Sequence, residues 1–99
     1  MVKHIVLFQL KKDLAEETRQ AVMNQFKSAI EALPAEIKFI RQIHVGLNMN
    51  PDEAWDICLE SAFDSLEDVR AYSTHPAHLA AAGTIKDYKA NRSCVEFEN

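Results

Sequence analysis

The sequence predicts an α+β fold in which an antiparallel sheet carries helices on one face. Three observations lead there. Four short runs rich in β-branched and aromatic residues read as strands. Stretches with helical apolar spacing separate the first strand from the second and the third from the fourth. The 99 residues, 47% hydrophobic and 26% charged, suit a single globular domain over 1–99 and leave no room for a second.

Val2–Leu10 (VKHIVLFQL) is apolar on both parities, with Val2, His4, Val6, Phe8 and Leu10 on one side and Ile5 and Leu7 on the other. Such a strand needs cover on both faces. Residues 15–33 place Val22, Met23, Phe26, Ala29, Ile30 and Leu33 at helical spacing, with Glu16, Glu17, Arg19, Lys27 and Glu31 opposite. Acids in the first turn suit the helix dipole, and Pro34 closes the element. Residues 39–47 alternate loosely, with Ile43 and Val45 inward and Gln42 and His44 outward, toward a partner or solvent. A turn rich in Asn, Asp and Pro follows over 48–53.

Residues 55–63 form a cleaner strand, with Trp55, Ile57, Leu59 and Phe63 on one side and Asp56, Cys58, Glu60 and Ala62 on the other. Ser65 is suited to cap a short helix whose apolar stripe holds Leu66, Val69 and Tyr72. At His75-Pro76 that helix must break, because a residue before proline is pushed out of the α region. Pro76 then opens a new helix expected to run through 79–88. Residues 93–97 close the chain as a strand, Val95 and Phe97 on one face and Cys94 on the other. A βαββαβ order with short connections is the ferredoxin-like plan. It leaves one sheet face bare, carrying Ile5, Leu7, Cys58, Ala62, Val95 and Phe97, more apolar surface than a monomer usually exposes. A homodimer packed sheet to sheet is expected.

Composition removes several classes of function. The net charge of −4 and the lack of a basic stripe argue against nucleic acid. No apolar run approaches the roughly 20 residues that span a bilayer, and the N-terminus lacks a signal peptide's layout, so a cytoplasmic protein is expected. Two glycines allow neither a GxGxxG turn nor a phosphate loop. Cys58 and Cys94 are too isolated for a disulfide framework or a CxxC site. His75 and His78 are three apart but lack an evident third ligand, so no metal and no cofactor are expected.

What remains is the stretch 64–78, which holds two of the four histidines and a tyrosine, the one concentration of side chains suited to proton transfer. Together with His4 to Phe8 (HIVLF), Val45-Gly46 and Phe63 to Leu66 (FDSL), its motif His75-Pro76-Ala77-His78 resembles the stress-responsive A/B barrel (Dabb) domain nearly end to end. The resemblance implies a dimeric α/β barrel. Some members of that family are polyketide cyclases, some are linked to stress, and many have no established activity. By analogy with the cyclases, Tyr72 and His78 would be the catalytic pair, and His4 and His75 would line the pocket. Val6, Phe8, Val22, Met23, Phe26, Ile43 and Leu59 would form its apolar wall. The chain departs from those cyclases at Ala81, Ala82, Lys89 and Arg92, where they carry bulky apolar residues.

The chemistry of the pair is consistent with that role. His78, in the first turn of its helix, meets the positive helix end, which disfavours imidazolium and keeps the ring a base. Tyr72, with an ordinary phenol pKa near 10, stays protonated and can donate a hydrogen bond. A neutral base beside a donor is the minimum for removing a proton next to a carbonyl and stabilising the enolate. Two classes of function are therefore open. One is a cofactor-free enzyme acting on a small aromatic or polyketone-like molecule. The other is a non-catalytic dimeric domain that binds a small hydrophobic ligand or acts structurally in stress tolerance.

Overall fold

A computed structural model describes residues 1–99. Strand β1 (Val2–Leu10) is followed by helix α1 (Glu16–Glu31), a 3-10 turn (Leu33–Ala35) and the hairpin of β2 (Gln42–Leu47) and β3 (Ile57–Phe63). Helices α2 (Leu66–Thr74) and α3 (Pro76–Ala82), a second 3-10 turn (Gly83–Ile85) and strand β4 (Lys89–Glu98) complete the chain. The antiparallel sheet has the order β2-β3-β1-β4, which is the ferredoxin-like arrangement. No helix is long and apolar enough to cross a membrane.

β1 shows why the alternation matters. Its even residues are all buried beneath the helices, while the odd ones between them are only half-buried on the opposite face. Val22, Met23, Phe26 and Ile30 of α1 close over that layer, and the Phe8 and Phe26 rings meet edge to face at 5.4 Å. Most expected elements are present with shifted ends. β2 starts at Gln42 rather than 39, because Ile37 and Ile40 are buried as anchors of a turned segment. The turn is held by Ile37 N–H donating to Leu33 O and Ile40 N–H to Ile37 O. β3 starts at Ile57 rather than 55, and α3 ends at Ala82 before tightening into the 3-10 turn. β4 begins four residues earlier than the pattern suggests, at Lys89. Its polar first half pairs with Phe8, Gln9 and Leu10 of β1 through a register shift.

Two charged clips fasten the layers. Asp56 accepts the Leu10 N–H at 2.7 Å and the Arg19 guanidinium at 2.9 Å, while Arg19 also donates to Lys11 O. The start of α1 is thereby tied to the end of β1. On the free edge of β2, Glu31 accepts the Val45 N–H and Lys27 donates to the Val45 carbonyl. A charged pair thus occupies groups that would otherwise invite another strand. His44, outward as expected, pairs with Glu31 at 3.2 Å.

The bare face is less uniform than its residue types suggest. Val95 and Phe97 are 55% and 45% exposed, whereas Ala62 is fully covered. Lys3 and Gln42, its register neighbours on either side, hydrogen-bond to each other across it. Apolar surface on this face therefore lies at Val95 and Phe97 and around Leu7, Gly46 and Cys58, interrupted by the polar bridge over Ala62. Asp56→Ala should destabilise the fold by about 2 kcal/mol, since it removes two charge-assisted bonds. Thermal unfolding of the variant measures this.

Candidate active site

Ser65 Oγ accepts the Asp68 N–H at 3.1 Å and starts α2, with Glu67 and Asp68 in the first turn. His75 is extended (ψ 135°), as a residue before proline must be, and its Nδ1 accepts the Ala77 N–H at 3.0 Å. His75 therefore caps α3. The break swings α3 so that His78 lies against Tyr72, ring centroids 4.3 Å apart. His78 Nδ1 lies 3.1 Å from the Ser73 carbonyl. Only a protonated nitrogen can bond a carbonyl, which assigns the proton to Nδ1 and the lone pair to Nε2.

His4 reaches the same place from β1, edge-on to Tyr72 with centroids 6.1 Å apart. Its Nδ1 is 2.7 Å from Glu96 of β4. His4, His78, Val6, Phe8 and Leu59 line a cavity of about 240 Å³ between sheet and helices, whose other walls include Ile85, Lys89 and Arg92. The remaining predicted residues lie elsewhere. Val22, Met23 and Phe26 are buried in the core, Ile43 packs half-buried beside it, and none of the four lines this cavity. Tyr72 is fully buried behind His78 rather than in the cavity wall, and its hydroxyl has no hydrogen-bond partner in the protein.

Glu96 and Cys94 were not anticipated as site residues. Both lie on the His4 side of β4, opposite Val95 and Phe97, a parity legible in the alternation of SCVEF. One donor atom each from His4, Cys94 and Glu96 falls within 4.8 Å of the others. Such N, S and O donors could hold a divalent metal. Here Glu96 is already engaged with His4, and the Arg92 cation acts on the same histidine.

Burial sets the electrostatics. It pushes both His4 and His78 below the ordinary histidine value of 6.5. For His4 the Glu96 carboxylate opposes the shift. For His78 the Ser73 hydrogen bond opposes it, and His4, Arg92 and His75 reinforce it. Burial also raises the Tyr72 phenol above its ordinary value of 10. At neutral pH the site holds a neutral imidazole against a protonated phenol.

Fold and cavity together define a ferredoxin-like α+β protein with a histidine-lined chamber between its two layers. The model of the stress responsive A/B barrel domain matches residues 2–99, and the chain belongs to that family. A crystal structure of a dimeric ferredoxin-like protein of unknown function from Bacteroides fragilis superimposes with a TM-score of 0.98. It is 56% identical, with 99% of this chain and 95% of that one covered. Olivetolic acid cyclase of Cannabis sativa is 21% identical over 90 residues, covering 88% of this chain and 85% of the cyclase. Hydroxynitrile lyase from Passiflora edulis shares the fold at 17% identity, with a TM-score of 0.70 and 97% and 90% of the two chains covered.

Two outcomes follow. Between the lowered folded values and 6.5, the unfolded chain binds more protons at His4 and His78 than the folded one. Their contribution to stability is therefore complete above pH 6.5 and is lost as the pH falls toward the folded values. Calorimetric melts should decline in that window, and less steeply for His78→Asn. Tyr72→Phe should raise stability by about 1 kcal/mol, because it removes a buried hydroxyl with no partner.

Proposed function

We propose that this protein is a homodimer, packed through its bare sheet faces, whose protomers each bind a small apolar or aromatic molecule and catalyse cofactor-free proton transfer upon it. His78 is the general base. Its Nε2 takes a proton from a carbon beside a carbonyl, and the electron pair moves onto the oxygen as an enolate. Tyr72 is the nearest donor to His78, and its buried, unpartnered hydroxyl has to turn toward the cavity to meet that oxygen. In a cyclase-like reaction the enolate carbon then attacks a second carbonyl of the same molecule, and the His78 imidazolium returns its proton to the alkoxide that forms.

One observation carries this reading. The Ser73 carbonyl holds His78 in the tautomer that leaves Nε2 basic, in a ring that lines a chamber half apolar and half polar in its lining residues. Burial keeps that ring neutral, and the Tyr72 hydroxyl beside it is a donor with nothing yet to bond. The likeness to olivetolic acid cyclase, whose name records a cyclisation, supports the same class of reaction. The exposed Val95 and Phe97, and the dimeric relative from Bacteroides fragilis, support the dimer.

A second reading draws on the same contacts. The bond from His78 to Ser73 and the tilted ring contact with Tyr72 tie α3 to α2, and Tyr72 does not reach the cavity wall. On that basis the domain would bind a ligand without turnover, or serve structurally in stress tolerance. Deuterium exchange into the methyl group of acetophenone, followed by NMR, separates the two. An enzyme accelerates exchange, His78→Asn lowers the rate at least 100-fold with an unchanged melt, and Tyr72→Phe lowers it while the melt rises. Binding without accelerated exchange supports the non-catalytic reading. In light scattering at micromolar concentration the mass should be twice the 11.2 kDa of one chain, and a monomer would refute the dimer.

A further inference from the structure

We propose that the ligand of this cavity is a small monocarboxylate with a compact apolar body, and that Arg92 is the residue that anchors its carboxylate, with Lys89 as a second cation. The inference rests on the cavity's being the binding site, as proposed above, and adds the chemical class of what it binds.

Arg92 lies opposite Phe8 and Lys89 opposite Leu10, so the exposed edge strand brings two cations to the side of the sheet that carries the histidines. Both line the cavity with His4 and His78, and the Lys89 ammonium lies 5.7 Å from the centroid of the Phe8 ring. Neither makes an ion pair with any carboxylate of the chain. Arg19, Lys27 and Arg41, by contrast, are each paired with an acid. On the same face of β4 stands one acid, Glu96, bound to His4 at 2.7 Å. Glu96 is not part of the cavity lining, so two cations and no carboxylate face the chamber.

Arginine's planar fork matches a carboxylate with two parallel hydrogen bonds, and the match strengthens where neighbouring walls exclude water. The apolar part of the lining is Val6, Phe8, Leu59, Ala82 and Ile85, which suits a compact apolar body. At about 240 Å³ the chamber is smaller than the roughly 300–1,000 Å³ of sites for drug-sized molecules, which limits the body to about one ring. The Arg92 charge reaches both His4 and His78 electrostatically. A carboxylate seated on it would hold the apolar body beside the base.

Benzoate and its neutral isostere benzamide test this on the full-length protein, by calorimetry and by NMR titration of the histidines. Benzoate should bind at least tenfold more tightly than benzamide and raise the His78 pKa, which benzamide leaves in place. Arg92→Gln should abolish the tenfold preference without weakening benzamide, and Arg92→Lys should keep part of it. Lys89→Gln should reduce it less than Arg92→Gln. Equal binding of the two probes, or a preference that survives Arg92→Gln, overturns the carboxylate assignment while leaving the cavity as the site. If neither probe perturbs His4 or His78 at tens of millimolar, the cavity reading fails and this inference fails with it.

Discussion

β1 is hydrogen-bonded along both edges, and its pairing with β3 and β4 decides which side chains of three strands face the helices. The register sets Phe63, Ser61, Leu59 and Ile57 beside its even residues on one flank. On the other flank it sets Glu96, Cys94 and Arg92. A slip of one residue would exchange every one of these for its neighbour on the opposite face. The apolar floor of the chamber, the carboxylate that holds His4 and the cation near both histidines all follow from this alignment. Ser61, the buried hydroxyl in the middle of β3, donates to the His4 carbonyl and leaves no polar group unmatched at that point.

The second constraint is the proline break between α2 and α3. An unbroken helix would carry Tyr72 and His78 six residues apart, on different faces. The extended backbone at His75 redirects the chain, so the two rings meet at a tilt of 49° and Ser73 can accept from His78. The same residue that makes the turn also caps the next helix. Its place in the HPAH motif is therefore accounted for by local structure, without a direct part in the chamber.

The site combines burial that suppresses charge on two imidazoles with one cation at its wall, Arg92, that suppresses it further. Desolvation is the largest contribution for both histidines, and Arg92 acts in the same direction on each. That arrangement favours neutral bases and an anionic guest together. It also separates this chamber from a purely hydrophobic one. Of the four positions at which the resemblance implies a departure from the cyclases, Ala81, Ala82, Lys89 and Arg92, the last three line the cavity.

How much of this was legible follows from the range of the interactions involved. Alternation within β1, the helical spacing of α1, the Ser65 cap and the break at Pro76 are local, and each could be read from a few consecutive residues. They sufficed for the ferredoxin-like order and for the proximity of Tyr72 and His78 around the break. The polar start of β4 carried no strand signal, because an exposed edge strand buries none of its side chains and is held by pairing with β1. Glu96 and Arg92 were therefore invisible as neighbours of His4, since their contacts depend on register between residues some 90 positions apart. The same limit applies to Val22, Met23, Phe26 and Ile43, whose apolar patterns showed that they face inward. Whether an inward side chain meets the core or the cavity is decided by how the layers pack, and packing is a property of the folded chain alone.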